Sequence, residues 1–195
     1  MNIPGITWQG ESIDDVEILR ELPSDLARIL SDTNGFIVHD GALHVRGACL
    51  TPEWHSLREA LHGTTALHKL YESVHPSDIP FAQDQVGDQF LLRDRRVLRL
   101  LGETGDVEPL ADSLDEFFYR VSEDIEGFLN VGLGQTMQPG QLLLACPPFV
   151  LLESGANASL KPVPAGELIL FHADIARQIR DVPDGGQVVL KFTQR

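Results

Sequence analysis

Histidine is the residue whose number and spacing most directly raise the question of chemistry in this chain. Four of the seven histidines, His55, His62, His68 and His75, recur every six or seven residues. Structural zinc sites use tighter ligand pairs, and many catalytic zinc sites carry an HExxH-like spacing, which this sequence lacks. We therefore expect no metal site and interpret these residues as core or solvated histidines.

The other residues able to do chemistry lack the partners that catalysis needs. His172 and Asp174 follow an apolar run, but no nucleophile accompanies them in a triad pattern. Cys146 ends the apolar run 142–145, which favours a buried strand end over a reactive thiol. No GxSxG, P-loop or GxGxxG motif occurs. We expect no catalytic residue and no cofactor, and we expect both cysteines to be free thiols.

The formal net charge of -14 is the strongest global feature of the sequence. Residues 1–160 contain 25 acids and 10 bases, whereas residues 161–195 contain 4 acids and 5 bases. An acidic surface repels nucleic acid and anionic membranes and attracts basic partners. The charge therefore predicts a basic protein partner and excludes nucleic acid and membrane as partners, unless it serves solubility alone.

The acidic turn at residues 84–88 is the predicted contact site for such a partner. We expect Asp84, Gln85, Asp88 and Gln89 to face the partner, and Gly87 to permit a positive φ or a bulge. The alternative is that the two aspartates only support the turn through local hydrogen bonds. If they do face a partner, reversing both charges weakens binding and leaves the melting temperature nearly unchanged.

Three short extended runs around this turn predict the middle of an antiparallel sheet. They cover residues 79–82, 89–93 and 97–101, and in the second Phe90 and Leu92 alternate with polar residues, the period of a half-buried strand. Asp40 and Gly41 lie between two further extended runs and predict a two-residue hairpin turn.

Helices are predicted before and after these strands in the sequence. Ser113 caps an amphipathic helix whose apolar residues recur at the helical period as far as Leu129. The sequence thus predicts an α+β fold for residues 1–130, in which helices pack against a twisted antiparallel sheet.

Residues 131–195 are rich in glycine and proline and form the predicted β-rich extension, packed on the first domain. Apolar runs predict strands at 142–146, 149–152, 167–171 and 187–192, and one or two helical turns at 173–180.

Three motifs resemble the SUKH superfamily in order and spacing, over about residues 11–130. The helix at Leu22–Gly35 reads LPSDLARILSDTNG, the strand at Gly87–Leu92 reads GDQFLL, and the helix start at Ser113–Phe118 reads SLDEFF. That superfamily includes the yeast regulator of cell-wall glucan synthesis, of the Smi/Knr type, and many bacterial toxin immunity proteins.

The resemblance implies a non-enzymatic, cytoplasmic binding protein. Its bacterial members neutralise toxins, often nucleases or nucleic-acid deaminases, by covering the toxin's active site. The leading hypothesis is therefore an immunity protein whose partner is a basic toxin domain. A housekeeping regulatory or scaffolding module is the alternative, and a metal-dependent enzyme is the third hypothesis. The sequence lacks a basic start followed by an apolar segment, so we expect no secretory signal.

Overall fold

The computed structural model describes residues 3–154, 158–183 and 185–191 of the chain. Within these ranges it contains nine strands, seven α-helices and a short 3-10 helix at His39–Gly41. The strands are β1 Ile6–Gln9, β2 Phe36–Val38, β3 Leu43–Val45, β4 Ile79–Asp84, β5 Gln89–Arg93, β6 Arg96–Leu100, β7 Val107–Ala111, β8 Gln141–Cys146 and β9 Ser159–Pro164. The helices are α1 Val16–Glu21, α2 Ser24–Asp32, α3 Leu57–His62, α4 Leu67–Leu70, α5 Leu114–Glu123, α6 Ile125–Leu129 and α7 Ala165–Ile179. The α+β class predicted from the sequence is confirmed.

The first seven strands form one antiparallel sheet in the order of the chain. The predicted central strands are present as β4, β5 and β6, and Leu91 pairs with Leu98 in the register. Asp94 and Arg95 connect β5 to β6 with φ values of 49° and 69°. Positive φ at both central residues is the geometry whose twist matches that of antiparallel strands joined by two residues.

The hairpin predicted at Asp40 and Gly41 is present, but its turn is longer than two residues. The last pair in register is Val38 with Leu43, so four residues connect β2 to β3. Asp40 and Gly41 adopt φ values of 53° and 124°. Glycine adopts such values freely, and aspartate does so more readily than most residues. The turn residues are therefore identified correctly and the turn length is not.

Helices cover one face of the sheet with an aromatic core. Ser113 caps α5 by accepting a hydrogen bond from the Glu116 amide at 3.1 Å, as predicted. The helix then breaks at Asp124, whose φ of -155° is not helical and whose carboxylate caps α6. The buried ring of Phe117 lies 5.4 Å from that of Phe81 and 5.2 Å from that of Phe90.

The opposite face of the sheet is covered as well. Leu91, Leu98 and Leu100 pack in a second apolar cluster together with residues of the 67–74 segment and of α7. Alternate residues of β5 therefore enter different cores, because successive side chains of a strand point to opposite faces.

The C-terminal segment differs from the prediction of a β-rich extension. The predicted strand at 142–146 is present as β8, which pairs with β9. The strand predicted at 167–171 is instead part of α7, the longest helix in the described chain. Its buried residues recur at intervals of a helical turn: Ala165, Leu168, His172, Ala173, Ile175 and Ala176. Residues 149–152 form a turn and residues 187–191 are irregular, whereas Phe192 lies outside the described residues.

No helix in the described ranges is long and apolar enough to cross a membrane.

Replacement of Phe117 by alanine tests the importance of the aromatic core. Because Phe117 is fully buried, we expect Phe117→Ala to lower the free energy of unfolding by about 3–5 kcal/mol. The control is Tyr119→Ala, two residues along the same helix, where 64% of the side chain is exposed and a change under about 0.5 kcal/mol is expected. Urea denaturation measures both values, and equal losses contradict this assignment of the core.

Candidate functional site

The predicted partner-binding turn lies in the interior of the protein. Asp84 is fully buried, Gln85 and Gln89 are buried, and Asp88 is half-buried. The Asp84 carboxylate accepts hydrogen bonds from the amides of Val86 and Asp88, both at 3.0 Å. This is the local turn chemistry that the sequence analysis gave as the alternative. The burial argues against direct contact of these side chains with a partner.

Arg99 compensates the charge of the two aspartates. Its guanidinium donates to Asp88 at 2.8 Å and to Asp84 at 3.3 Å. The second oxygen of Asp88 accepts from the amide of Gly102 at 2.8 Å. Burial and the neighbouring charge of Asp88 raise the pKa of Asp84 well above its ordinary value, while Arg99 opposes this rise. The cluster connects the β4–β5 turn to the end of β6.

The C-terminal segment of the chain covers this turn. The amide of Leu143 donates to the carbonyl of Gln85 at 2.7 Å. Gly87 has the predicted positive φ, at 94°, and a Cβ placed there lies 3.2 Å from atoms of both Leu168 and His172. The surface expected to meet a partner is thus occupied by β8 and α7 of the same chain.

Two buried polar atoms at this contact lack hydrogen-bond partners in the described chain, Glu103 Oε1 and His172 Nδ1. The other oxygen of Glu103 accepts from the Val150 amide at 2.7 Å, and Oε1 lies 3.7 Å from His172 Nε2. Burial raises the pKa of Glu103 and lowers the pKa of His172 to about 4. No hydroxyl or thiol among the described residues hydrogen-bonds to His172.

A second buried polar cluster centres on Arg46, and the sequence analysis did not identify it. The two Nη atoms of Arg46 donate to four neutral acceptors on β4 and β5: Pro80 O at 2.8 Å, Ala82 O at 3.3 Å, Gln83 Oε1 at 2.7 Å and Gln89 Oε1 at 2.6 Å. No carboxylate in the described chain pairs with this guanidinium. Burial lowers the pKa of Arg46 to about 10, so it remains cationic at neutral pH.

The cluster continues through two buried histidines whose protonation is fixed by their partners. Gln83 Nε2 donates to His44 Nδ1 at 3.2 Å, so His44 carries its proton on Nε2 and donates it to His55 Nδ1 at 2.8 Å. His55 then donates from Nε2 to Asn34 O at 2.9 Å. Burial lowers the pKa of His44 well below 6.5 and that of His55 to about 4. Both rings are therefore neutral at pH 7.

One sequence signal could have indicated this cluster. Arg46 directly follows the strand at 43–45, Gln83 directly follows the predicted strand at 79–82, and Gln89 begins the predicted strand at 89–93. Polar groups in buried strands require hydrogen-bond partners, so such residues on neighbouring strands are candidates to pair with one another.

The spaced histidines do not form a metal site in the described chain. His55 is engaged with His44, and the exposed His62 lies 3.1 Å from a carboxylate oxygen of Glu21. No group of three or more histidine, cysteine or carboxylate residues in the described ranges is positioned to hold a metal ion.

An acidic stretch of surface lies on α5 and α6. Residues 112–126 contain six acids, Asp112, Asp115, Glu116, Glu123, Asp124 and Glu126, and one base, Arg120, which gives a balance of -5. Asp115, Tyr119 and Glu123 are exposed and follow one another at intervals of four, so they share a side of α5. We name this surface, with Asp124 and Glu126, the acidic helical face.

Comparison with known proteins gives information about the fold of this chain and none about its function. No protein-family profile and no curated protein matches the sequence. Among solved structures, the crystal structure of Atu4351 from Agrobacterium tumefaciens is similar, with a TM-score of 0.53 and 13% sequence identity over 86% of this chain and 85% of that chain. At this identity the similarity shows a shared fold alone.

Charge reversal at the acidic turn now has the opposite expectation from the one based on sequence. Asp84→Lys with Asp88→Lys places two cations beside Arg99 and leaves buried amides without acceptors. We expect the free energy of unfolding to fall by at least about 3 kcal/mol, measured by urea denaturation.

The matched control is Asp32→Lys with Asp181→Lys, which makes the same change in net charge at exposed positions. Each of these substitutions is expected to change stability by no more than about 0.5 kcal/mol. Equal melting temperatures for the two double variants refute the structural role of the turn.

The buried histidines predict a loss of stability in acid. Their folded pKa values lie below the unfolded value of 6.5, so protonation favours the unfolded chain. For His55 the stabilisation is complete above about pH 6.5 and is lost as the pH falls towards 4, with up to about 1.4 kcal/mol per pH unit, and His44 contributes in the same direction.

His55→Gln keeps a side-chain donor for Asn34 O but removes one titrating ring. We expect it to reduce the slope of unfolding free energy against pH between 6.5 and 4.5 by up to about 1.4 kcal/mol per pH unit. His62→Gln removes an exposed ring and serves as the control. If both variants keep the wild-type slope, His55 does not contribute to acid sensitivity.

Proposed function

We propose that this chain is a non-enzymatic immunity protein that binds a basic toxin domain and covers its active site. The observation that carries the proposal is the acidic helical face, where four exposed carboxylates accompany the exposed ring of Tyr119. The three SUKH-like motifs support it, because they lie in α2, in β5 with its preceding turn, and at the start of α5.

Charge supports association with a basic protein in two ways. A protein field opposite in sign to the partner increases the rate of encounter, and complementary potentials exclude partners of the wrong charge. Toxins that act on nucleic acid present basic clefts to their substrate. An acidic protein surface that docks over such a cleft competes directly with the substrate.

Tyr119 adds apolar contact area to the acidic helical face, which charged side chains alone do not provide. Tyrosine is enriched among the residues that dominate binding energy at protein interfaces, because it combines apolar area with a hydroxyl group. Its side chain is 64% exposed in the middle of the acidic helical face. We expect Tyr119 to contact the partner directly, with the neighbouring carboxylates around it.

The experiment begins with the gene neighbouring this one, because immunity genes adjoin the genes of their toxins. The purified product of that gene is titrated with this chain by calorimetry, and the two are co-expressed to measure protection of growth. Submicromolar binding together with protection supports the proposal. Binding without protection, or no toxic neighbour at the locus, favours a regulatory or scaffolding module instead.

Variants of the acidic helical face test the docking surface. Asp115→Lys with Glu123→Lys is expected to raise the Kd at least about tenfold, mainly through a slower association rate. Tyr119→Ala is expected to raise the Kd about tenfold, mainly through faster dissociation. Stopped-flow kinetics separates the two effects.

Glu153→Lys with Asp181→Lys provides the control, since it makes the same change in net charge at two exposed positions that lie on none of α2, α5 and α6. Binding is expected to remain within about threefold of wild type, because screening limits the reach of distant surface charges. If both double variants weaken binding equally, the contact lies outside the acidic helical face and only the net charge of the protein affects binding.

A further inference from the structure

A cleft of about 460 Å³ opens between the segment that contains Trp54 and the beginning of α7. Arg46 lines it, and Pro164, Ala165 and Gly166 form part of the opposite wall. The acidic helical face contributes no residue to this cleft. The volume lies within the range of about 300–1,000 Å³ that is usual for small-molecule sites.

Arg46 is the exception among the inward-facing arginines of the described chain. The other three each have a guanidinium nitrogen close to a carboxylate oxygen, at 2.5 Å for Arg58, 2.6 Å for Arg93 and 2.7 Å for Arg99. The side chain of Arg46 is more deeply buried, at 4% exposure for the residue, and has only neutral acceptors. Its Nε–H is the guanidinium donor that has no acceptor in the described chain. A buried cation without a counter-ion is costly, and an anion in the cleft relieves that cost.

The first turn of α7 adds backbone amide donors to the same cleft, although the carboxylate of Glu167 lies in that turn. Pro164 precedes this 15-residue helix and provides no capping side chain. The Ala165 amide donates to Gly140 O at 2.8 Å, whereas the amides of Gly166 and Glu167 have no acceptor among the described residues. Free amides at the positive end of a helix dipole bind anions. A Cβ placed on Gly166 meets no atom within 4 Å, so this part of the wall is open.

The remaining lining restricts the kind of anion. Glu53 and Glu59 also line the cleft, and the chain as a whole is strongly negative. Both features oppose ligands with several negative charges. The indole of Trp54 provides an aromatic wall, which Gly140 fixes by approaching within contact distance, because a Cβ there lies 3.0 Å from Trp54 Cδ1. The arrangement suits one anionic group near Arg46 and α7, and a cationic group near the glutamates.

We propose that this cleft binds a monocarboxylate that also carries an ammonium group, with the carboxylate between Arg46 and the first turn of α7. Free amino acids and the zwitterionic ends of short peptides share this chemistry. The proposal is independent of the toxin-binding function, because it concerns a different surface.

The test is calorimetric titration of the full chain with three sets of probes. The first is the twenty free L-amino acids, the second is dialanine and trialanine with free or amidated C termini, and the third is acetate and inorganic phosphate. We expect saturable binding in the micromolar to millimolar range for at least one probe with a free carboxylate. Amidation is expected to weaken peptide binding at least tenfold, and phosphate is expected not to bind.

The probes also separate the possible sources of the carboxylate. Binding of an amino acid but of no peptide identifies a free metabolite, and preference for the peptides identifies a chain terminus. No saturable binding by any zwitterionic probe at concentrations up to about 10 mM, a Kd that corresponds to about -2.7 kcal/mol, overturns the proposal.

Variants at Gly166 keep the test independent of the buried network, since Arg46 substitutions can unfold the protein. Gly166→Asp installs a carboxylate at the helix N-terminus, where it competes with the ligand, and we expect at least tenfold weaker binding with an unchanged or higher melting temperature. Gly166→Asn has the same shape without the charge and is expected to bind within threefold of wild type. Equal affinities for the two variants overturn the placement of the carboxylate.

Discussion

The hydrogen bonds of the buried Arg46 guanidinium are the interaction on which the centre of this structure depends. They join the residue that follows β3 to carbonyl and side-chain oxygens of β4 and β5. A slip of one residue in the register of β4 moves Gln83 to the opposite face and removes one of the four acceptors of the guanidinium. Replacement of a buried charge by apolar residues is often neutral or stabilising, so the network is better explained by specification of the register than by stabilisation. The histidine chain from Gln83 to Asn34 extends that specification towards β2.

The acidic turn shows where local sequence signals are sufficient and where they are not. The meander, the positive φ of Gly87 and the supporting role of Asp84 follow from alternation and turn chemistry within a few residues. The burial of the turn depends instead on Leu143 and His172, which are more than fifty residues away in the sequence. No local pattern carries that information, and an acidic glycine turn that is exposed looks the same in sequence as one that is covered.

The misassigned helix α7 has the same origin. A run of five residues such as 167–171 is too short for periodicity to separate a buried strand from part of a helix. In the structure Leu91, Leu98 and Leu100 present a second apolar face, which needs a cover, and a helix with small residues such as Ala173 and Ala176 packs closely on it. The polar residues Gln89 and Arg93 suggested a solvated face of β5. Gln89 is nevertheless buried, because its side chain accepts a hydrogen bond from Arg46 and donates one to the carbonyl of Gly87.

The net charge of this protein therefore indicates what its exposed surface attracts, but it does not indicate what a cleft lined by a buried cation binds. Exposed charges act through water and salt, where their influence decays over about 8 Å at physiological ionic strength. They bias encounters with a large basic partner, which approaches over a broad area. A buried cation acts over a shorter distance in a medium of lower dielectric constant, where its effect on a ligand in contact exceeds that of more distant surface charges. The two proposals are therefore compatible in a chain with a net charge of -14, because a basic protein on α5 and α6 and a carboxylate beside Arg46 respond to charges at different distances.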